Sequence, residues 1–145
     1  MATVRQLLDA KGHDVWSITP RSSVFEALEL MSDKDVGALL VVDKEGMLEG
    51  IFSERDYARK LVLKGKISKS TAVADLMTVD VIHVSPSASF EECMKVMTEK
   101  RIRHLPVLEE GRVAGIVTIG DVVKQIISDQ EMTIKHLGDY ISGGY

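Results

Sequence analysis

Two four-residue segments set a hydroxyl three positions before a carboxylate: Ser53-Glu54-Arg55-Asp56 and Thr118-Ile119-Gly120-Asp121. Each follows a glycine and two apolar residues, Gly50-Ile51-Phe52 and Gly115-Ile116-Val117. This spacing has two uses. It can cap a helix, the hydroxyl and the carboxylate each accepting a backbone N–H of the other's residue. It can also hold a ligand. The hydroxyl of Ser53 or Thr118 would bond a phosphate at a helix start, where free N–H groups and the positive dipole end favour anions. Asp56 or Asp121, one turn further in, would accept both hydroxyls of a ribose. Ser23 with Glu26 and Ser89 with Glu92 repeat the capping spacing, so capping alone accounts for it. The carboxyl end of a strand, where open α/β sheets bind ligands, favours the second use.

The elements that would position these groups come in duplicate. Val15-Trp16-Ser17-Ile18-Thr19-Pro20 returns as Val81-Ile82-His83-Val84-Ser85-Pro86, and Ser23-Val24-Phe25-Glu26 as Ser89-Phe90-Glu91-Glu92. Val24, Ala27, Leu28 and Met31 recur at helical spacing, as do Phe90, Cys93, Met94 and Met97. Strands are expected over residues 15–18, 38–43 and 48–53 and over 105–109 and 113–118, with turns at Lys44-Glu45-Gly46 and Glu110-Gly111. The second copy's counterpart of 15–18 begins at Val81. Each copy thus reads strand, helix, strand, strand, helix. Val4-Arg5-Gln6-Leu7-Leu8 resembles Val73-Ala74-Asp75-Leu76-Met77, so each copy is expected to carry a lead-in helix. The boundaries expected are 3–66 and 67–130 for the copies and 131–145 for a tail. In that tail Met132, Ile134, Leu137 and Ile141 form an apolar face and Gly143-Gly144-Tyr145 are expected to fray. A copy of roughly 60 residues buries too little surface to be stable alone, so the copies should pack about a pseudo-twofold axis.

Composition narrows the function classes. The chain has 145 residues, 45% hydrophobic and 28% charged, ample for a core and a hydrated surface. Its apolar runs are far shorter than a membrane span, its first residues do not read as a signal peptide, and its lone cysteine suits a reducing cytoplasm. A net charge of −4 disfavours nucleic acid and anionic lipid as partners, since both require a positive field.

The paired pattern resembles a tandem of CBS domains, the modules named after cystathionine β-synthase. The resemblance rests on Ile18-Thr19-Pro20 and Val84-Ser85-Pro86, on Gly37-Ala38-Leu39-Leu40-Val41-Val42 and His104-Leu105-Pro106-Val107-Leu108, and on the two Ser/Thr-x-x-Asp segments. It spans about residues 3–130. Ser53–Lys60 and Arg101–Pro106 are most similar to small stand-alone pairs of bacteria and plant organelles. The resemblance implies an α/β fold of two βαββα repeats in one module, which often pairs into a homodimer. It implies a non-catalytic regulatory role through adenine nucleotides such as AMP, ATP or NAD(H), with a regulated protein as a further partner. Ribose would fall to Asp56 and Asp121, and phosphate to Ser53, Arg55, Thr118, Arg103 and His104. The adenine would lie near Val81, Ile82 and Ile102 at the Asp56 site, and near Val15, Trp16, Val36 and Gly37 at the Asp121 site.

Other chemistry has less support. His13, His83, His104 and His136 lack zinc-site spacing, and Cys93 falls on an apolar helical stripe. No Gly-x-Gly-x-x-Gly or Gly-Lys-Ser/Thr motif is present. A nucleotide-acting enzyme using the same clefts would need a nucleophile and base that the sequence does not display. A nucleic-acid binder would rely on Arg55, Arg59, Lys60, Lys64, Lys66 and Lys69, without aromatic residues between them.

Overall fold

The computed structural model describes residues 2–141, with side chains to Gly138. Gly143-Gly144-Tyr145 and the side chain of Ile141 lie outside the described residues. Helix starts are set locally. Thr3 and Gln6 form a capping box at α1 (Val4–Lys11), and Ser23 and Glu26 form one at α2 (Val24–Lys34). At α5 (Phe90–Lys100) Ser89 accepts from the Glu92 N–H at 3.2 Å, but the expected return bond from Glu92 is not made. Both α2 and α5 end on a residue in the left-handed region, Asp35 and Arg101.

In the first copy β1 (Ser17–Ile18) runs parallel to β2 (Ala38–Val42), which pairs antiparallel with β3 (Leu48–Ser53). In the second, β4 (His104–Glu109) pairs antiparallel with β5 (Arg112–Thr118). The strand expected from Val81 contracts to one parallel bridge between Val84 and Val107. Val84 there bonds Pro106 and Leu108, at 3.0 and 2.9 Å. The fold is the mixed α/β pair of βαββα repeats that the duplication implies.

The copies diverge after their last strands. β3 leads into α3 (Glu54–Asp56), α-helical for one turn, and then into a π-helix over Tyr57–Val62. β5 leads into α6 (Ile119–Ile141), a helix of 23 residues that passes unbroken through position 131.

The lead-in segments cross over. α1 joins the second copy's core, where Val4 and Leu8 are buried with Phe90, Cys93, Leu105 and Val117. The second segment, α4 (Val73–Leu76), joins the first copy's core, where Val73 and Leu76 are buried with Phe52, Leu39 and Met31. Short antiparallel bridges fix both crossings, Thr3 to Ser89 and Ser23 to Ala72. Two glycines make room for them. A Cβ on Gly115 would meet Leu8 Cδ2 at 2.7 Å, and one on Gly50 would meet Met77 Sδ and the Thr78 carbonyl at 2.8 Å.

Candidate functional site

The β3–α3 junction opens on a cavity of about 500 Å³. Its walls come mainly from three places, with Gly37 and Ile51 beside them. Ser53, Arg55 and Asp56 come from the junction, Val81 and Ile82 from the entry to the second copy, and Ile102, Arg103 and His104 from the approach to β4. The backbone holds these pieces in register. The Glu54 N–H donates to Gly37 O at 3.1 Å, and in the second copy the Ile119 N–H donates to Arg103 O at 2.9 Å. Ile51 and Thr78 exchange two bonds, at 3.0 and 2.9 Å.

Asp56 is 5% exposed and closely held. Its Oδ2 accepts from the Ser53 N–H at 3.0 Å and the Ser53 hydroxyl at 3.1 Å. Its Oδ1 accepts from Lys60 at 3.0 Å and from the Thr78 hydroxyl at 3.3 Å. Ser53 Oγ in turn accepts from the Asp56 N–H, so the capping use of this spacing is realised. Lys60 also donates to Leu76 O at 3.0 Å and does not line the cavity. Arg55 lines the cavity and lies 3.5 Å from the Arg101 carbonyl.

His104 is half-buried on the same wall. Burial first, and then the charge of Arg103, lower its pKa, against the opposing pull of Glu54. The imidazole is therefore neutral at neutral pH. The cavity joins two guanidinium groups and three carboxylates (Glu54, Asp56, Asp80) to an apolar wall of Ile51, Val81, Ile82 and Ile102. A ligand with an anionic part, hydroxyls and a flat apolar part would find a complement to each.

The second junction is different. Asp121 Oδ2 accepts from the Thr118 N–H at 2.9 Å, and Thr118 Oγ1 accepts from the Asp121 N–H at 3.2 Å, again a helix cap. Lys11 reaches over from α1 to Asp121 Oδ2 at 2.6 Å and to Ile116 O at 2.8 Å. Burial alone would raise the Asp121 carboxyl; the bonds from Lys11 and Thr118 outweigh it and hold the pKa below the ordinary value. Neither Thr118 nor Asp121 lines the Asp56 cavity.

The apolar residues expected around the base divide. Val81, Ile82 and Ile102 line the Asp56 cavity. Gly37, expected beside Asp121, lines that cavity instead, because its carbonyl caps the Glu54 N–H. Val15, Trp16 and Val36, expected at the Asp121 site, do not line the Asp56 cavity. Trp16 is 41% exposed with the Lys34 ammonium 4.4 Å from its ring, and Val36 packs on the first core. Cys93 is buried; burial and then the charge of Glu92 raise its thiol, which stays protonated. Among the described residues no three His, Cys, Asp or Glu side chains come together as a metal site.

Sequence reasoning missed Lys11, Glu54, Thr78 and Asp80 as site residues and read Lys60 only as part of a basic run. Lys60 had a signal, since it stands four residues after Asp56 on one helical stretch. Lys11 had none, being 110 positions from its partner.

The model of the CBS domain matches residues 4–63 and 73–128. The chain belongs to the CBS domain family. It is 38% identical over 152 residues to the CBS domain-containing protein CBSX3, mitochondrial, of Arabidopsis thaliana, covering 99% of this chain and 73% of that one. It is 30% identical over 122 residues to the CBS domain-containing protein YhcV of Bacillus subtilis, covering 84% and 86%. The crystal structure of a CBS-domain containing protein from Agrobacterium tumefaciens superposes with a TM-score of 0.81 at 40% identity, over 86% of this chain and 98% of that one. Paired CBS domains are in general regulatory modules that bind adenosine-containing ligands. No helix among the described residues is long and apolar enough to cross a membrane.

Proposed function

We propose that this CBS pair is a non-catalytic sensor that binds an adenine nucleotide, AMP, ATP or NAD(H), in the Asp56 cavity. The observation that carries this reading is the cavity itself, within the usual range for a small-molecule site. The base packs against Val81, Ile82 and Ile102. Ribose hydroxyls bond Asp56, replacing the Thr78 hydroxyl, the longest of its contacts. Arg55 and Arg103, with Ser53 and His104, take phosphate through charge-assisted bonds. A second, weaker site at Thr118 and Asp121 requires the ligand to displace Lys11 from the carboxylate.

Calorimetric titration with AMP, ATP and NADH tests the reading. At least one ligand is expected to bind at millimolar concentration or below. Asp56→Asn should weaken it about tenfold or more, the value of a hydrogen bond to a charged group. Binding by none of the three would end the proposal. The non-catalytic part is tested by incubation with ATP or NADH followed by chromatography, where product rising in proportion to protein would overturn it. In this reading the chain acts in the cytoplasm as a homodimer and passes ligand occupancy to a regulated protein by differential affinity between two states. Self-association draws support from α6, which carries seven of the fourteen exposed large apolar side chains among the described residues.

A further inference from the structure

We propose that Glu54 sets a charge limit on the Asp56 cavity, which therefore takes a nucleoside monophosphate in preference to the triphosphate. The inference rests on the nucleotide reading just given and narrows it to one class of ligand.

The charges around the cavity balance. Arg55 and Arg103 line it, against the carboxylates of Glu54, Asp56 and Asp80. Asp56 is already met by Lys60, at 3.0 Å. The two guanidinium groups thus stand against two carboxylates, and neither Glu54 nor Asp80 enters a salt bridge among the described residues.

Of these two carboxylates, Glu54 is the one on the phosphate side. It stands between Ser53 and Arg55 in the chain. Its N–H donates to the Gly37 carbonyl at 3.1 Å, and its carboxyl carbon lies 3.8 Å from the place a Cβ on Gly37 would occupy. Its charge reaches the imidazole of His104, as does that of Arg103. Asp80 instead precedes Val81, on the wall assigned to the base.

A phosphate monoester carries a charge of about −2 at neutral pH, which two guanidinium groups match. A triphosphate roughly doubles that charge. Among the described residues no lysine lines the cavity to meet the outer phosphates, and Glu54 repels them. The repulsion grows with the charge of the ligand. The two junctions part at this point. Ile119 and Gly120 stand where the first copy has Glu54 and Arg55. The cation that attracts phosphate and the carboxylate that limits it therefore occur together, in one copy only.

Calorimetric titration of the full chain with AMP and with ATP tests the limit, with EDTA present so that no divalent metal neutralises the triphosphate. Wild type is expected to bind AMP about tenfold more tightly than ATP at low salt, and the gap should narrow as salt rises. Glu54→Gln keeps the shape of the side chain and removes its charge. It should tighten ATP about tenfold and AMP about threefold, because the gain follows the charge of the ligand. Glu54→Asp keeps the charge and should keep the order of the two ligands. A residue acting only through its shape would show neither the scaling nor the salt dependence. Glu54 is exposed, and circular dichroism checks that each variant keeps the fold. Wild type binding ATP as tightly as AMP, or a gap that Glu54→Gln leaves unchanged, would overturn the limit and leave the nucleotide reading intact. Binding of NADH with neither AMP nor ATP would do the same. Binding by none of the three would overturn both.

Discussion

At the scale of single residues, the two junctions share a motif and differ in what surrounds it. His104 illustrates the first. Burial and Arg103 hold its pKa below the ordinary 6.5. Phosphate placed beside the ring would raise that pKa, so binding should take up a proton and tighten as pH falls from neutral toward the acid side. Calorimetry in two buffers of different ionisation enthalpy reads the uptake directly. His104→Ala should abolish it, and equal uptake by variant and wild type would remove His104 from the phosphate site. Asp121 illustrates the second. Its folded pKa is depressed below 3.8. Its stabilisation is therefore complete above the ordinary value and is lost as pH falls through the folded one. Lys11→Met should lower stability at pH 7 by roughly 1 kcal/mol or less, since the pair is partly exposed. It should also make the acid limb of the unfolding curve shallower below about pH 4. An unchanged acid limb would mean that Lys11 does not set the Asp121 pKa. The sequence displayed Ser53, Asp56, Thr118 and Asp121 because a repeated spacing is a local signal. It did not display Lys11, whose role depends on a contact made only in the folded chain.

At the scale of elements, the strands and first helices of each copy were legible because their periods are short and their caps local. β3 was expected at 48–53 and spans Leu48–Ser53, while β1 was expected at 15–18 and spans only Ser17–Ile18. Edge pairing depends on a neighbour that periodicity does not show. The same holds for the π-helix after Asp56, which follows from no local composition rule. The glycines before the two junctions make a sharper case. They read as strand residues, and the structure gives each a packing role. At Gly115 the obstacle to a Cβ is the end of the Leu8 side chain, whereas at Gly50 it includes the Thr78 carbonyl, fixed by its bond to Ile51. Side-chain ends can shift and backbone cannot without breaking that bridge. Gly50→Ala should therefore cost about 1–3 kcal/mol in urea unfolding, more than Gly115→Ala. The reverse order would mean that the Ile51–Thr78 bridge is not the fixed point assumed.

At the scale of the whole molecule, the duplication does more than repeat a site. Each copy completes its core with a segment that precedes the other copy in sequence. Val4 and Leu8 are buried in the second core, and Val73 and Leu76 in the first. The sequence showed that the segments match but not that they cross, since identical patterns are compatible with either partner. Crossing binds the two halves into one cooperative unit. Residues 2–66 alone retain α1 without its core and lose α4 from theirs, while residues 67–145 alone have the opposite deficit. Truncating Leu8 to alanine removes a fully buried side chain and should cost about 2–5 kcal/mol. The loss should destabilise both copies together, with one transition by fluorescence of Trp16 in the first copy and by far-ultraviolet circular dichroism. Either half expressed alone should show no cooperative transition, and mixing the halves should restore one. A half that melts cooperatively by itself, or a Leu8→Ala transition that separates between the two probes, would show the copies to be independent. The cavity between them would then be a contact of two domains rather than a site built into one.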